Sequence, residues 1–248
     1  MTGPAARAVT TAGVTISFRE AGDPEGPAAV LLHGGASSGA TWHRLSAALA
    51  AAGHHVIAAD LRGHGTSSRT EQYPLTGFRD DILGLLEALH IESAALVGHS
   101  LGGYVAAVIA QQQPARVTRL VLEEPGLPGR DGTERHELSG PRFLLPALAG
   151  LVIRRGFDRS AVTSAVRQLR APDMNWWNGL TSITAPTLLI SGGPASHIPP
   201  QRLAAVAESI RDSELVTIPA GHRVHSRSPE QYLAVVVPFL TASQAAQP

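Results

Sequence analysis

Ala94-Ala95-Leu96-Val97-Gly98-His99-Ser100-Leu101-Gly102-Gly103 passes from an apolar strand to an Ala-rich helix with no loop between them. Gly98 and Gly102 spare this turn two side chains. The chain can therefore fold back sharply and lift the Ser100 hydroxyl to the carboxyl edge of a sheet, at the N-terminus of the following helix. A serine held in that way is a candidate nucleophile. The plain alternative is an N-cap serine whose oxygen bonds the free N–H groups of the helix. The pattern Gly-x-Ser-x-Gly is weak evidence alone, because Gly35-Ala36-Ser37-Ser38-Gly39 also fits it. Ser37, however, lies in a loop five residues beyond Leu32, the last apolar residue of its strand. Context singles out Ser100.

Outward from this turn, Ala28–Leu32, His55–Ala59, Ala94–Val97, Leu120–Leu122, Thr187–Ile190 and Leu215–Ile218 are short apolar runs without alternation. Such runs are expected as strands buried on both faces, hence parallel and sandwiched between helices. Val9 to Phe18 does alternate, around Ala12-Gly13, and predicts an antiparallel hairpin at a sheet edge. Apolar residues at three- and four-residue spacing predict helices over Thr41–Ala52, Thr76–His90, Leu101–Gln113, Pro200–Ile210 and Pro229–Leu240. The expected fold is α/β, a mostly parallel eight-stranded sheet flanked by helices. Strand–helix alternation stops between Pro125 and Pro186, where helical stretches near Phe143–Arg154 and Ser160–Leu169 suggest an inserted lid. The expected organisation is a core of residues 1–125 and 186–248 with a helical lid over 126–185.

The 20 arginines balance the 20 acidic residues and no lysine is present, so no electrostatic case arises for nucleic acid or an anionic membrane as partner. The absence of cysteine excludes disulfides and thiolate chemistry. Met1 to Ala12 has no apolar run fit for a signal peptide, and no stretch approaches the 18 apolar residues of a span, so a cytoplasmic protein is expected. Oligomeric state is not readable.

In an open parallel sheet the ligand crevice lies beyond the carboxyl ends of the strands. After Leu32 comes His33-Gly34-Gly35-Ala36, a glycine loop whose N–H groups can face that crevice. Acyl transfer needs two donors where charge develops on a carbonyl oxygen. The backbone N–H groups of Gly35 and Leu101 are the candidates, a merely flexible connection being the alternative. The last strand runs into Pro219-Ala220-Gly221-His222, and an imidazole there could take the Ser100 proton and return it to a leaving group. His222 and His225 also form His-x-x-His, but in a loop and with no third ligand evident, so no metal is expected.

These pieces together resemble the α/β-hydrolase fold superfamily over nearly the whole chain. His33-Gly34-Gly35, Asp60 to Ser67, Gly98 to Gly102, Ala185 to Gly192 and Ala220-Gly221-His222 carry the likeness. The resemblance implies Ser100 as nucleophile, His222 as base, and a structural turn over Asp60–Ser67 in which His64 is not catalytic. It also implies a cofactor-free serine hydrolase acting on an ester, lactone or thioester. Relatives that are dehalogenases or epoxide hydrolases carry Asp at the position of Ser100. Lyases, acyltransferases and carbon–carbon bond hydrolases on the same fold stay open, as does a weakened enzyme or binding protein.

One departure matters. The family's acid stands three residues after the glycine that ends the seventh strand, and here Gly192-Gly193-Pro194-Ala195 puts alanine there. Some relatives place the acid after the sixth strand, where this chain has Leu122-Glu123-Glu124-Pro125 and Glu124 matches; a solvated carboxylate is the alternative. Asp131 and Asp173 are further candidates, and Ala195 as an engineered change is another explanation. His33, His99, Trp176 and Trp177 are expected to touch a mainly apolar small-molecule substrate, although lid–core packing explains the tryptophans equally well.

Overall fold

A computed structural model describes residues 5–130 and 156–242. Its eight strands form one sheet in the order β1-β2-β4-β3-β5-β6-β7-β8. They are β1 (Ala5–Thr11), β2 (Val14–Gly22), β3 (Ala28–Leu32), β4 (His55–Ala59), β5 (Ala94–His99), β6 (Val117–Glu123), β7 (Thr187–Ser191) and β8 (Ser213–Thr217). β2 pairs antiparallel with β1 and β4, and all other neighbours are parallel. The described helices are α1 (His43–Ala51), α2 (Leu75–Ala88), α3 (Leu101–Gln112), α4 (Arg159–Leu169), α5 (Met174–Gly179), α6 (Pro200–Ser209), α7 (Val224–Arg227) and α8 (Pro229–Thr241).

Alternation of side chains along each strand divides the core in two. Val30 and Leu32 join Phe78, Ile82, Val105 and Ile109 of α2 and α3 on one face. Ala29 and Leu31 join Leu45, Leu49, Tyr232 and Val236 of α1 and α8 on the other. A strand with helices on both faces needs apolar residues at every position, which is why these runs do not alternate. β8 departs from that expectation: its residues are half-buried or exposed, because β7 is its only neighbour. Of the two helices expected between β6 and β7, Ser160–Leu169 falls within α4, while Phe143–Arg154 lies outside the described residues. α5 is an addition to the expected set.

The register brings the chemistry together. Leu32 pairs with Gly98 across β3 and β5, and His99 with Glu123 across β5 and β6. The segments after these strands therefore leave the sheet side by side, where strand order reverses about β3 and β5, the usual place for a crevice in such sheets.

Candidate active site

Ser100 occupies the turn between β5 and α3 with φ 50° and ψ −113°. Conformations of this kind cost a non-glycine residue about 1–3 kcal/mol and persist only where neighbouring structure enforces them. Here the enforcement is visible: Ser100 N donates to Glu123 O at 3.1 Å, and Ser100 O accepts from Gly126 N at 2.8 Å and Tyr104 N at 3.0 Å. The turn closes because two side chains are missing. A Cβ on Gly98 would lie 2.3 Å from Gly102 O, and one on Gly102 would lie 2.2 Å from Leu32 O. Gly34 passes so near that a Cβ would stand 3.1 Å from the Ser100 Cβ. Among the described residues, the N–H groups of Gly35 and Leu101 and the Ser100 hydroxyl enter no hydrogen bond of the fold.

The carboxylate arrives from β6. Glu123 ends that strand, and Glu124 follows with φ 46°, which turns its side chain toward the loops after β7 and β8. Glu124 Oε1 accepts from Gly192 N at 2.5 Å, Oε2 accepts from the Ser196 hydroxyl, and His222 Nδ1 stands 3.2 Å from Oε2. The β7 and β8 loops meet closely enough for this because a Cβ on Gly192 would lie 2.1 Å from Gly221 O. His222 is held from behind as well, its carbonyl accepting from His99 Nε2 at 2.7 Å. Burial holds the His222 imidazole well below its usual titration range, and the neighbouring His197, Arg223 and His225 charges add to the effect. A ring kept neutral at neutral pH is able to accept a proton. Burial raises the Glu124 carboxyl, opposed by the bonds from Ser196 and Gly192 and by the charge of His197.

His99 precedes Ser100 in the chain, and its ring lies 4.8 Å from that of His222. No hydrogen bond joins the Ser100 hydroxyl to the His222 ring. Such contacts are commonly long without substrate and tighten when it binds. Above the turn lies α4: a Cβ on Gly35 would touch Val162 at 3.6 Å, and one on Gly126 would meet Leu169 at 2.9 Å and Ser100 O at 3.5 Å.

The four residues expected to touch substrate each make contacts within the fold. His33 is fully buried, with Nδ1 donating to Gly34 O at 2.7 Å and Nε2 accepting from Leu61 N at 3.0 Å, so both nitrogens shape the glycine loop. His99 is buried and spends Nε2 on the His222 carbonyl. Trp176 lies parallel to Tyr104 of α3 at 6.3 Å, and Trp177 donates through Nε1 to Pro128 O at 3.0 Å; both are buried, which favours the packing alternative. Of the other acid candidates, Asp173 caps α5 by accepting from Trp176 N, and Asp131 lies outside the described residues. His64 donates through Nδ1 to Arg62 O and accepts from Ala36 N within its turn.

His225 lies in the short helix α7 rather than in a loop, and its Nδ1 pairs with Glu123 Oε2 at 2.7 Å. It and His222 therefore face different carboxylates. Sequence reasoning missed Ser196 and His197, the latter with its ring tilted against His222 at 3.9 Å between centroids. Their only signal was position, one and two residues past Ala195.

Comparison with known proteins gives a consistent answer. A family model described as alpha/beta hydrolase fold matches residues 27–165. The chain is 30% identical to the 2-hydroxymuconate semialdehyde hydrolase of Pseudomonas sp. (strain CF600), covering 97% of this chain and 95% of that protein. It is 27% identical to the mouse sn-1-specific diacylglycerol lipase ABHD11, covering 88% and 82% respectively. Among solved structures, an E-2-(acetamidomethylene)succinate hydrolase superposes with a TM-score of 0.81 at 25% identity, covering 96% of this chain and all of that one.

Proposed function

We propose that this chain, which belongs to the alpha/beta hydrolase fold family, is a cofactor-free serine hydrolase that cleaves an ester, lactone or thioester through a covalent acyl-enzyme. Ser100 attacks the carbonyl carbon while His222 takes its proton. The tetrahedral intermediate collapses as His222 returns that proton to the leaving group, and water then repeats both steps on the acyl-enzyme. Glu124 holds the His222 ring in one tautomer, with the proton on Nδ1, and stabilises the transient imidazolium. The N–H groups of Gly35 and Leu101 receive the developing oxyanion. That neither has another partner among the described residues favours this assignment.

The observation that carries the reading is the Ser100 backbone. A serine at φ 50° in a turn too tight for a side chain at Gly98 or Gly102 serves no packing purpose that an ordinary helix start would not serve at lower cost. Val162 and Leu169 of α4 line the space above it, which supports a mainly apolar acyl or alcohol portion and a capping role for residues 126–185. Labelling by a fluorophosphonate, followed by peptide mapping, tests this. The reading requires one adduct on Ser100, turnover of short p-nitrophenyl esters, and loss of both in Ser100→Ala. An unlabelled, inactive but folded protein rejects it.

A further inference from the structure

A cavity of about 780 Å³ is lined by the loop after β3 and by residues of and next to α7. Neither Ser100 nor His222 lines it, but the residues next to the proposed machinery do: Ala36 follows Gly35, and Arg223 follows His222. Its lining carries the guanidinium groups of Arg44 and Arg227, and among its described residues no Asp or Glu; Arg223, which also lines it, is engaged within the chain. Hydroxyl donors of Ser37, Ser38, Thr41 and Ser226 share the wall. The Gly35–Gly39 stretch that matched the nucleophile pattern outside a strand-to-helix turn thus contributes its two serines here.

The wall is fixed from behind. Glu123, fully buried, accepts from His225 N and Nδ1, and His225 Nε2 meets the Thr41 hydroxyl at 2.8 Å, so loop, α7 and sheet are tied together. Burial opposes the Glu123 charge, but His225 and His99 outweigh it and hold the carboxyl below its usual range. Glu230 pairs with Arg44 at 2.9 Å, but both side chains are exposed, and surface pairs of this kind exchange freely with an incoming anion. Arg227 spends one nitrogen on Ala220 O at 3.4 Å and keeps other donors of its planar fork.

We infer that this cavity binds a small molecule through an oxyanion group, a phosphate or a carboxylate. Guanidinium forks and hydroxyls are the groups that recognise such oxygens, and the volume falls in the range of small-molecule sites.

Isothermal titration of the full-length protein with inorganic phosphate, and separately with succinate, tests the inference at constant ionic strength. At least one is expected to bind saturably at one per chain, and Arg44→Gln and Arg227→Gln are each expected to weaken it roughly tenfold or more. Phosphate alone identifies a phosphate ester as the occupant, succinate alone a carboxylate, and both together a site selective for charge rather than shape. Circular dichroism checks that the variants fold; should Arg227→Gln misfold, the exposed Arg44 carries the comparison. The inference is overturned if neither anion saturates below about 10 mM, if the variants bind as the unaltered chain does, or if chloride competes at equal concentration. Heat of binding does not depend on Ser100, so failure here leaves the hydrolase reading standing.

Discussion

Glu123 and Glu124, adjacent in the chain, serve different histidines: Glu123 closes on His225 at 2.7 Å, and Glu124 lies 3.2 Å from His222. Strand pleating sends successive side chains to opposite faces, and the positive φ of Glu124 adds a turn where β6 ends. The two pairs should therefore fail in different ways.

Glu124→Gln removes the charge that stabilises the His222 imidazolium and disturbs its tautomer. In ester hydrolysis kcat should fall by roughly 10³-fold to 10⁴-fold with KM little changed. Steady-state kinetics on one p-nitrophenyl ester checks this, and a loss below tenfold removes Glu124 from the mechanism. Ala195→Asp in the Glu124→Gln background is expected to restore part of the rate, since position 195 lies on the same loop as Ser196.

Glu123→Gln strikes stability first. Weakening a buried hydrogen-bonded pair typically costs about 1–3 kcal/mol, and both side chains here are almost wholly buried. The Glu123 carboxyl titrates below its ordinary value of 4.5. Its contribution is accordingly present above that value and lost as pH falls through the lower folded-state value. Urea unfolding at neutral pH should separate the variant from the unaltered protein, and the gap should close as the pH drops below the carboxylate range.

The His222 ring is held below the ordinary imidazole range. A base must be neutral, so kcat/KM should stay high down to mildly acidic pH and decline only below the range of a free imidazole. His197→Asn admits water beside His222 and removes a neighbouring cation, and both changes raise the His222 pKa. The acid limb should move to higher pH in this variant while the alkaline plateau stays nearly level. An unmoved limb would show that the neighbouring ring has no electrostatic hold on the base.

Gly98→Ala places a methyl group 2.3 Å from Gly102 O, with backbone on both sides and no side chain to yield. A loss of more than about 4 kcal/mol, the upper tail for single substitutions, is expected in chemical denaturation. Gly35→Ala is the control: its methyl meets Val162 at an ordinary 3.6 Å, so the protein should fold normally whatever becomes of activity.

Much of the fold was legible because its signals are local. An unalternating apolar run needs helices on both faces, and β3 to β7 lie where such runs stand. β8 misled by the same logic, since Leu215 to Ile218 is apolar enough for a central strand yet ends the sheet. The Ser100 turn was equally legible, its glycines and serine lying within five residues. His33, His99, Trp176 and Trp177 stand near the crevice or in and next to the lid, but which groups of the fold their rings meet was not legible, because nearness in sequence does not say which way a ring points.

Sequence by itself determined the parallel sheet and the strand-to-helix turn with its serine, since each follows from backbone sterics and hydrophobic period within a few neighbouring residues. Only the tertiary structure decided which carboxylate meets His222. Glu124 and His222 are 98 residues apart, and their meeting depends on strand register, on the φ of one residue and on the close approach of Gly192 to Gly221. Those are long-range packing outcomes: Glu124 was legible as the residue at the position some relatives use for the acid, but its contact with His222 was not. The same holds for Ser196 and His197, whose place around the base is set by how two loops from different strands pack against each other.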